Sequence, residues 1–207
     1  MVTHSNRLHP NLNPRLWRCT WESPCDCDSG GLNSKTNVEC FPYKKGCKNQ
    51  LMGRGGARKY ARTHVRDVGE RGKGLFARQD ISVGAYIIQY TGEILGQSEY
   101  ERRFHWDDMI GRHHSYYMDL GEVVVHNMRD RCVIDASRYG NDARFINHSC
   151  EPNAETQKWN VKGFECVGIF AVRDIRYGEE ITFDYHAVRQ EEAKECLCGA
   201  STCRKYI

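Results

Sequence analysis

Two groups of closely spaced cysteines constrain the fold of this 207-residue chain more than any other feature. The C-terminal group supplies three thiols, those of Cys196, Cys198 and Cys203. Such short spacing favours a bound metal ion over free thiols, and a closed tetrahedral zinc site needs a fourth ligand. We therefore expect this end of the chain to fold around a metal ion.

The second group lies in residues 19–50, where Gly, Pro, Asn and Ser separate five cysteines. This stretch has too few apolar residues to build its own core, so a metal ion would have to organise it. With Cys19 left over, four residues can form a second zinc site: Cys25, Cys27, Cys40 and Cys47. Cys132 and Cys166 lie in strand-like runs and are predicted to be core thiols.

Composition narrows the class of protein. The chain is hydrophilic, with 40% hydrophobic and 28% charged residues. Its longest apolar runs are far shorter than a membrane span, and its first eighteen residues are too polar for a secretory signal. We therefore expect an intracellular protein without a membrane partner, in which cysteines more often bind metals than form disulfides.

Charge is distributed unevenly along the chain. Residues 1–70 carry 12 Lys and Arg against 6 Asp and Glu, a net +6, and residues 71–207 carry 18 against 21, a net −3. Between Lys44 and Arg66 there are eight basic residues and no acid. This segment is either a solvated basic loop or a contact for nucleic-acid phosphates. The acidic remainder suits a basic peptide substrate.

The pattern along the chain predicts a mainly β domain behind an irregular leader (1–18), the cysteine-rich segment (19–50) and a basic linker (51–64). From residue 65 onward, short apolar runs between turn signals predict strands at 74–77, 85–90, 116–118, 123–125, 132–134, 167–171 and 181–183. A capping-box match at Ser98–Glu101 predicts a helix to about Ile110, and residues 187–195 are a candidate second helix. Many short strands with few helices indicate a β-rich fold.

Three motifs carry the chemistry: Arg71-Gly-Lys-Gly-Leu75, Asn147-His-Ser-Cys150 and Phe183-Asp-Tyr185. The glycine segment alone is a weak signal, and no helix follows it, so a dinucleotide fold is not predicted. In this order, and followed by the terminal cysteines, the motifs resemble the catalytic core of SET-domain lysine methyltransferases. The resemblance is close over residues 65–207 and looser over 19–50.

The resemblance implies a SET-domain β-clip fold of short sheets with a threaded, pseudoknot-like loop and flanking zinc-bound segments. Residues 19–50 then correspond to a reduced "associated with SET" (AWS) segment, 65–186 to the SET domain and 187–207 to a post-SET segment. The post-SET zinc ligands are implied to be Cys150, Cys196, Cys198 and Cys203. One AWS-like zinc is implied for Cys25, Cys27, Cys40 and Cys47, since Gly31 stands where the family pattern has a cysteine.

The family also implies S-adenosylmethionine as the methyl donor and two phenols, Tyr117 and Tyr185, at the methyl-transfer site. The implied cofactor-binding residues are Arg71, Gly72, Lys73, Ser115, Tyr116, Tyr117, Asn147, His148, Lys194 and Leu197. Such an enzyme must align a neutral lysine amine with the methyl carbon. A narrow aromatic channel near a sulfonium disfavours the ammonium form, so no dedicated general base is needed.

The run Asn153–Trp159 resembles the subfamily that acts on lysine 36 of histone H3. This implies a histone H3 tail as substrate, nucleosomal DNA contacted by the basic 44–66 segment, and action in the nucleus on chromosomes. Lys205 stands where the family usually has glycine. Other readings are another lysine such as lysine 4 of H3, a non-histone substrate, or a weakly active chromatin-binding module. A purely structural zinc protein would leave the glycine segment unexplained.

Overall fold

The computed structural model describes residues 36–40, 49–52, 60–111, 116–125, 128–161, 164–186 and 195–207. These contain ten strands, one α-helix and two short 3-10 helices, at Gly69–Arg71 and Asp142–Phe145. The strands are β1 (Thr63–Asp67), β2 (Lys73–Ala77), β3 (Tyr86–Tyr90), β4 (Glu93–Gly96), β5 (Tyr117–Val125), β6 (Met128–Asp135), β7 (Asn147–His148), β8 (Ala154–Val161), β9 (Phe164–Ala171) and β10 (Glu180–Phe183); the helix is α1 (Gln97–Met109).

The described residues form two compact units. The first contains the described parts of 36–52, 89–141 and 158–167, and the second contains those of 60–88, 142–157 and 168–207. The predicted mainly β fold, built from several short sheets, is confirmed. Within the described residues, the helix is too short and too polar to cross a membrane.

The first unit is built on an antiparallel sheet in the order β4-β6-β5. Leu95, Val133 and Ile134 are buried in it. Two separate runs were predicted at 116–118 and 123–125, but they belong to one nine-residue strand. The register shifts between Asp119 and Gly121, where Gly121 adopts φ 76°. This irregularity lets a single strand continue through a turn-like sequence.

The predicted helix is confirmed as α1, but the predicted capping box is wrong. The helix begins at Gln97 behind an extended Gly96, and no side chain caps its first turn. Its exposed surface is instead stabilised by ion pairs at helical spacing, since Glu99 accepts hydrogen bonds from both Arg102 and Arg103. Arg103 also pairs with the buried Asp135 of β6 at 2.7 Å, which attaches the helix to the sheet.

The second unit contains a four-stranded sheet in the order β1-β2-β10-β7. β10 pairs antiparallel with β2 and parallel with β7, with Thr182 opposite Asn147 and Phe183 opposite His148. Leu75 of β2, Ile181 of β10 and Ile146, just before β7, are almost fully buried. Because parallel neighbours need a long connection, this pairing joins two motifs that lie far apart in the sequence.

The remaining sheet has the order β3-β9-β8. Tyr86 packs on Phe170 with ring centroids 5.3 Å apart, and Ile87 and Ile169 are fully buried. β8 was not predicted, because its central residues are polar and only Ala154, Trp159 and Val161 are buried. The predicted helix at 187–195 lies outside the described residues, except for Glu195, which forms an isolated bridge to Tyr206.

Candidate active site and metal centre

The parallel pairing of β7 with β10 places the Asn-His-Ser-Cys motif beside Phe183-Asp-Tyr185. The pairing extends beyond the strands, since the backbone N–H of Ser149 donates to the carbonyl of Phe183 at 3.2 Å. Two segments that the sequence shows as separate motifs therefore form one backbone unit.

The side chain of His148 contacts residues on both sides of this backbone pairing, Tyr185 and Cys150. Its imidazole is buried, and its Nδ1 accepts the backbone N–H of Tyr185 at 3.2 Å. Its Nε2 lies 3.3 Å from Sγ of Cys150. Because Nδ1 is an acceptor, we assign the ring proton to Nε2, which then donates to the sulfur. Desolvation lowers the pKa of His148 despite the nearby Asp184 carboxylate, which favours this neutral form.

The side chain of Tyr185 is held by contacts with Ile146, Phe183 and His148. Its hydroxyl donates to the carbonyl of Ile146 at 2.8 Å. Its ring packs against Phe183 and edge-on to His148, with centroids 5.0 and 5.4 Å away. The residue is nevertheless 45% exposed, so part of it is accessible to solvent. Its proton is directed at a carbonyl, which leaves the phenolic oxygen able to accept a hydrogen bond.

The glycine segment requires its glycines for two different reasons. Gly72 follows the 3-10 helix with φ 74° and ψ −112°, a conformation that other residues rarely adopt. Gly74 has an ordinary backbone, but a Cβ there would lie 2.6 Å from Oε1 of Glu180. The first glycine therefore permits the turn, and the second permits a carboxylate to approach the strand.

Glu180 connects two segments of the predicted cofactor site, the glycine segment and the Asn-His-Ser-Cys motif. Its carboxylate accepts two hydrogen bonds from the guanidinium of Arg71, at 2.9 and 3.3 Å. Nδ2 of Asn147 donates to the same carboxylate at 2.8 Å and to the carbonyl of Lys73 at 3.0 Å. Sequence reasoning missed Glu180. The available signal was its position in the Gly178–Tyr185 run, at the first residue of the strand that leads into Phe183-Asp-Tyr185.

The four predicted post-SET cysteines come together. The sulfur atoms of Cys150, Cys196, Cys198 and Cys203 all lie within 4.8 Å of one another. Those of Cys150 and Cys196 are 3.9 Å apart, close to the separation of about 3.8 Å that tetrahedral zinc with bonds of about 2.3 Å requires. Donor type and spacing therefore both fit a zinc ion.

Backbone donors around this cluster favour thiolates. The backbone N–H of Arg204 points at Sγ of Cys150, and that of Lys205 points at Sγ of Cys203, each at 3.3 Å. Desolvation raises the pKa of Cys196 to about 12. Desolvation also acts on Cys198, but backbone hydrogen bonds from Cys150 and Ala200, together with the thiols of Cys196 and Cys203, lower its pKa to about 6. A metal ion would stabilise all four thiolates further.

Two further clamps hold the terminal segment. Arg204 makes a bidentate ion pair with Asp184, at 2.7 and 2.9 Å. The carboxylate of Glu151 accepts from the Ser201 hydroxyl and from both the backbone and the hydroxyl of Thr202. These contacts attach the cysteine segment to the residues that flank the Asn-His-Ser-Cys motif and Tyr185. Leu197, between two of the cysteines, is 46% exposed.

Tyr117 belongs to the first unit. Its hydroxyl donates to Asp107 of α1 at 3.0 Å, and Tyr100 packs edge-on against its ring at 5.1 Å. Desolvation and this hydrogen bond raise the pKa of Tyr117 well above its usual value, so the phenol stays protonated. A cavity of about 340 Å³ adjoins it, lined by Arg102, Arg103, Trp106, Asp107, Tyr117, Asp135, Ser137 and Arg138.

The structure groups most of the predicted residues of the second unit: Arg71, Gly72, Lys73, Asn147, His148, Tyr185, Leu197 and the four post-SET cysteines. Tyr116 lies beside Tyr117 in the first unit, where its carbonyl accepts the Tyr90 hydroxyl. Cys40 is buried in the first unit and accepts a hydrogen bond from Asn49. Five predicted residues lie outside the described part of the chain: Ser115, Lys194, Cys25, Cys27 and Cys47.

The sequence pattern of the SET domain matches residues 72–186, more than half of the chain. The chain belongs to the SET domain family. The matched stretch contains the glycine segment from Gly72, the Asn-His-Ser-Cys motif and Tyr185, which are the parts that the second unit brings together.

Several histone-lysine methyltransferases resemble this SET domain protein. It is 41% identical over 187 residues to Histone-lysine N-methyltransferase ASHH2 of Arabidopsis thaliana, covering 87% of this chain and 10% of the relative. It is 39% identical over 186 residues to Histone-lysine N-methyltransferase, H3 lysine-36 specific, of Yarrowia lipolytica, covering 88% and 22%. Identity to human Histone-lysine N-methyltransferase SETD2 is 35% over 213 residues, covering 98% of this chain and 8% of the relative. The chain thus spans less than a quarter of each relative.

Proposed function

We propose that this SET domain protein transfers methyl groups from S-adenosylmethionine to lysine 36 of histone H3. The observation that carries the proposal is the connected unit of Asn147, His148 and Tyr185 beside a four-cysteine cluster, in a chain of the SET family. The names of its relatives support a histone lysine as the substrate, and one of them is named as specific for lysine 36 of H3.

In this proposal Glu180 organises the cofactor site. It fixes Arg71 and Asn147 by hydrogen bonds, while Asn147 also holds the backbone at Lys73. The remaining cofactor contacts are assigned to Gly72, Tyr116, Tyr117, His148 and Leu197, and outside the described residues to Ser115 and Lys194. When bound, S-adenosylmethionine supplies a methyl group on a positively charged sulfur.

Tyr185 orients the lysine amine. Its hydroxyl donates to the carbonyl of Ile146, and in this proposal the phenolic oxygen accepts an N–H from the amine. Accepting that N–H leaves the nitrogen lone pair to point elsewhere, toward the methyl carbon in a displacement geometry. Contact with the ring of Tyr185, which packs on the buried Phe183, partly desolvates the lysine and disfavours its charged ammonium form. The amine therefore reacts after its proton has passed to solvent. We assign Tyr117 as the second phenol of the transfer site.

Zinc has a structural role in this proposal. One ion is bound by Cys150, Cys196, Cys198 and Cys203, and it folds residues 187–207 as a post-SET segment behind the SET domain of 65–186. A second ion is assigned to the AWS-like segment through Cys25, Cys27, Cys40 and Cys47. Residues 1–18 and 51–64 are assigned as leader and linker.

The substrate assignment also has electrostatic support. Residues 71–207 carry a net charge of −3, which favours a basic histone tail. The basic segment from Lys44 to Arg66 is assigned to phosphates of nucleosomal DNA, and we place the protein in the nucleus, on chromosomes. The alternative substrates are lysine 4 of H3 and a non-histone protein.

The experiment is transfer of a labelled methyl group from S-adenosylmethionine to recombinant nucleosomes, with free histone H3 and an unrelated lysine-rich protein compared in parallel. We expect incorporation into H3, greatest on nucleosomes. Incorporation into the unrelated protein alone would reject the histone assignment. Cofactor binding without incorporation into any of the three would instead indicate a chromatin-binding module.

A further inference from the structure

We propose that one face of the β1–β2 hairpin is a binding surface for the phosphates of duplex DNA. On the first strand the surface consists of His64 and Arg66 of β1 and Arg62 just before it. On the second strand it consists of Phe76 of β2 and Arg78 just after it. We call it the β1–β2 basic face. It deepens the proposed function and rests on it for the nucleosome as the source of DNA. Arg62, His64 and Arg66 belong to the basic segment already assigned to DNA phosphates, and this face adds Phe76 and Arg78 of the neighbouring strand and places all five residues on one surface.

Strand periodicity places these residues together. Alternate residues of a strand share a face, so Arg62, His64 and Arg66 point the same way. His64 pairs with Phe76 across the strands, and the N–H of Arg78 donates to the carbonyl of Arg62 at 2.7 Å. The opposite face holds Leu75 and Ala77, which are completely buried. The basic residues therefore occupy the solvent side of an edge strand.

Contacts between the side chains confirm the cluster. The guanidinium carbon of Arg66 lies 4.9 Å from the centre of the Phe76 ring, and Nε of Arg66 contacts Nε2 of His64. Desolvation lowers the pKa of His64, and the positive charges of Arg66 and Arg78 lower it further. The guanidinium of Arg66 is in direct contact with the imidazole. Nδ1 of His64 is buried without a hydrogen-bond partner in the described part of the chain.

The arginines of this face lack acidic partners among the described residues. Arg62 donates to the neutral amide of Gln79 at 3.1 Å, and none of Arg62, Arg66 and Arg78 forms an ion pair there. By contrast, Arg71, Arg131, Arg173 and Arg204 each pair with a carboxylate. Unpaired cations clustered on one face repel one another, so a bound polyanion would stabilise them.

A depression of about 660 Å³ beside the face provides a seat for a phosphate. It is lined by Arg62, Thr63, Arg78, Gln79, Asp80 and Tyr177. Asp80 is the acid in this lining, and one oxygen of its carboxylate accepts the N–H of Tyr177 at 2.7 Å. Two guanidinium groups, a hydroxyl and an amide remain as donors for phosphate oxygens. Glu180, opposite Phe76, is engaged by Arg71 and Asn147.

Spacing favours duplex DNA over a single phosphorylated side chain. Arg62 and Arg66 are four residues apart on an extended strand, or about 13 Å. A DNA strand presents a phosphate about every 3.4 Å of helix axis, so the basic face can contact several phosphates at once. A phosphopeptide would use the depression alone and leave Arg66 without a role.

The test is anisotropy of a labelled DNA duplex titrated with the full chain over a series of salt concentrations, without cofactor or histone. The variant is Arg66→Gln with Arg78→Gln. The matched control is Arg131→Gln with Arg173→Gln, which removes the same charge from arginines that already pair with Asp119 and Glu179. A third protein, Arg66→Lys with Arg78→Lys, retains the charge. Thermal unfolding verifies that each variant is folded.

We expect the Gln variant to bind DNA about tenfold more weakly at low salt and to lose about 1.8 from the salt slope, since each phosphate contact contributes about 0.9. The control should change less than twofold, and the Lys variant should remain close to the parent. Equal losses in variant and control would overturn the proposal, as would binding of a phosphopeptide but not of duplex DNA. Because no methyl transfer is measured, failure of the proposed function would leave this result unchanged.

Discussion

The imidazole Nε2 of His148 lies 3.3 Å from Sγ of Cys150. The other ring nitrogen accepts the backbone N–H of Tyr185, so a single buried side chain joins the cysteine cluster to the phenol of the proposed transfer site. Metal ligands are commonly oriented by such second contacts, which also stabilise a chosen protonation state. We infer that a metal ion at the cluster and the position of Tyr185 depend on each other.

Replacing His148 with Phe should keep the volume but remove both hydrogen bonds. We expect zinc retention by the purified protein, measured as competition with a chelator, to fall about tenfold to a hundredfold. The matched control is His186→Asn, since His186 is exposed and Asn tolerates its φ of 50°. Identical zinc retention in the two variants would show that the His148 contact does not support the metal.

Replacing Tyr185 with Phe removes the hydroxyl that donates to Ile146 and is proposed to accept from the amine. Turnover on an H3 peptide should fall about a hundredfold, a typical loss for one preorganised polar group, while cofactor affinity changes little. Tyr139→Phe, at an exposed tyrosine, serves as the control. Turnover of Tyr185→Phe within twofold of the parent would reject its assignment.

Asn147 and Glu180 should act as one unit. Asn147→Ala and Glu180→Gln are each expected to weaken S-adenosylmethionine binding about tenfold in calorimetric titrations, because each disrupts the network that fixes Arg71 and Lys73. The double variant should lose less than the sum, with a coupling of about 1 kcal/mol. Strict additivity, or unchanged affinity in folded Asn147→Ala, would place the cofactor elsewhere.

The clamp between Asp184 and Arg204 should depend on pH. Desolvation alone would raise the pKa of Asp184, but hydrogen bonds from Arg204 and from the backbone N–H of His186, together with the charges of both residues, lower the pKa. A lowered carboxyl pKa in the folded state adds stability above the ordinary value of about 3.9, and that stability is lost as the pH falls below it. Arg204→Gln should therefore lower the thermal midpoint at neutral pH, and the difference from the parent should shrink below about pH 4.

The control for this clamp is Lys205→Gln, in the same segment. Lys205 is exposed and forms no ion pair with the described residues, so its replacement removes the same charge without removing the clamp. A pH-independent difference between Arg204→Gln and the parent would mean that Asp184 does not carry the effect.

Motifs and strand patterns predicted much of this architecture. The mainly β class, the helix and most core strands follow from apolar runs such as Tyr86–Tyr90. β8 was missed because Glu155–Lys158 show little hydrophobic alternation. Its strand conformation depends on pairing with β9 rather than on its own sequence pattern. The capping-box prediction was wrong because the helix begins at Gln97, with the extended Gly96 at its N-cap position. Ser98 matches the sequence pattern but lies inside the helix.

The site was predicted less completely than the fold. Thiol chemistry and family resemblance together predicted the cluster of Cys150 with the terminal cysteines, which the structure forms. The role of Glu180 depends on antiparallel pairing of β10 with β2 and on the absence of a Cβ at Gly74. Neither relationship is local in sequence, so only the folded structure exposes it.

The most direct measurement is mass mapping of methylated lysines on recombinant nucleosomes after incubation with S-adenosylmethionine, using the parent and Tyr185→Phe. We expect methylation at lysine 36 of H3, lost when that lysine is replaced by arginine and strongly reduced in Tyr185→Phe. Methylation confined to lysine 4 or to another protein, or equal methylation by the parent and Tyr185→Phe, would contradict this expectation.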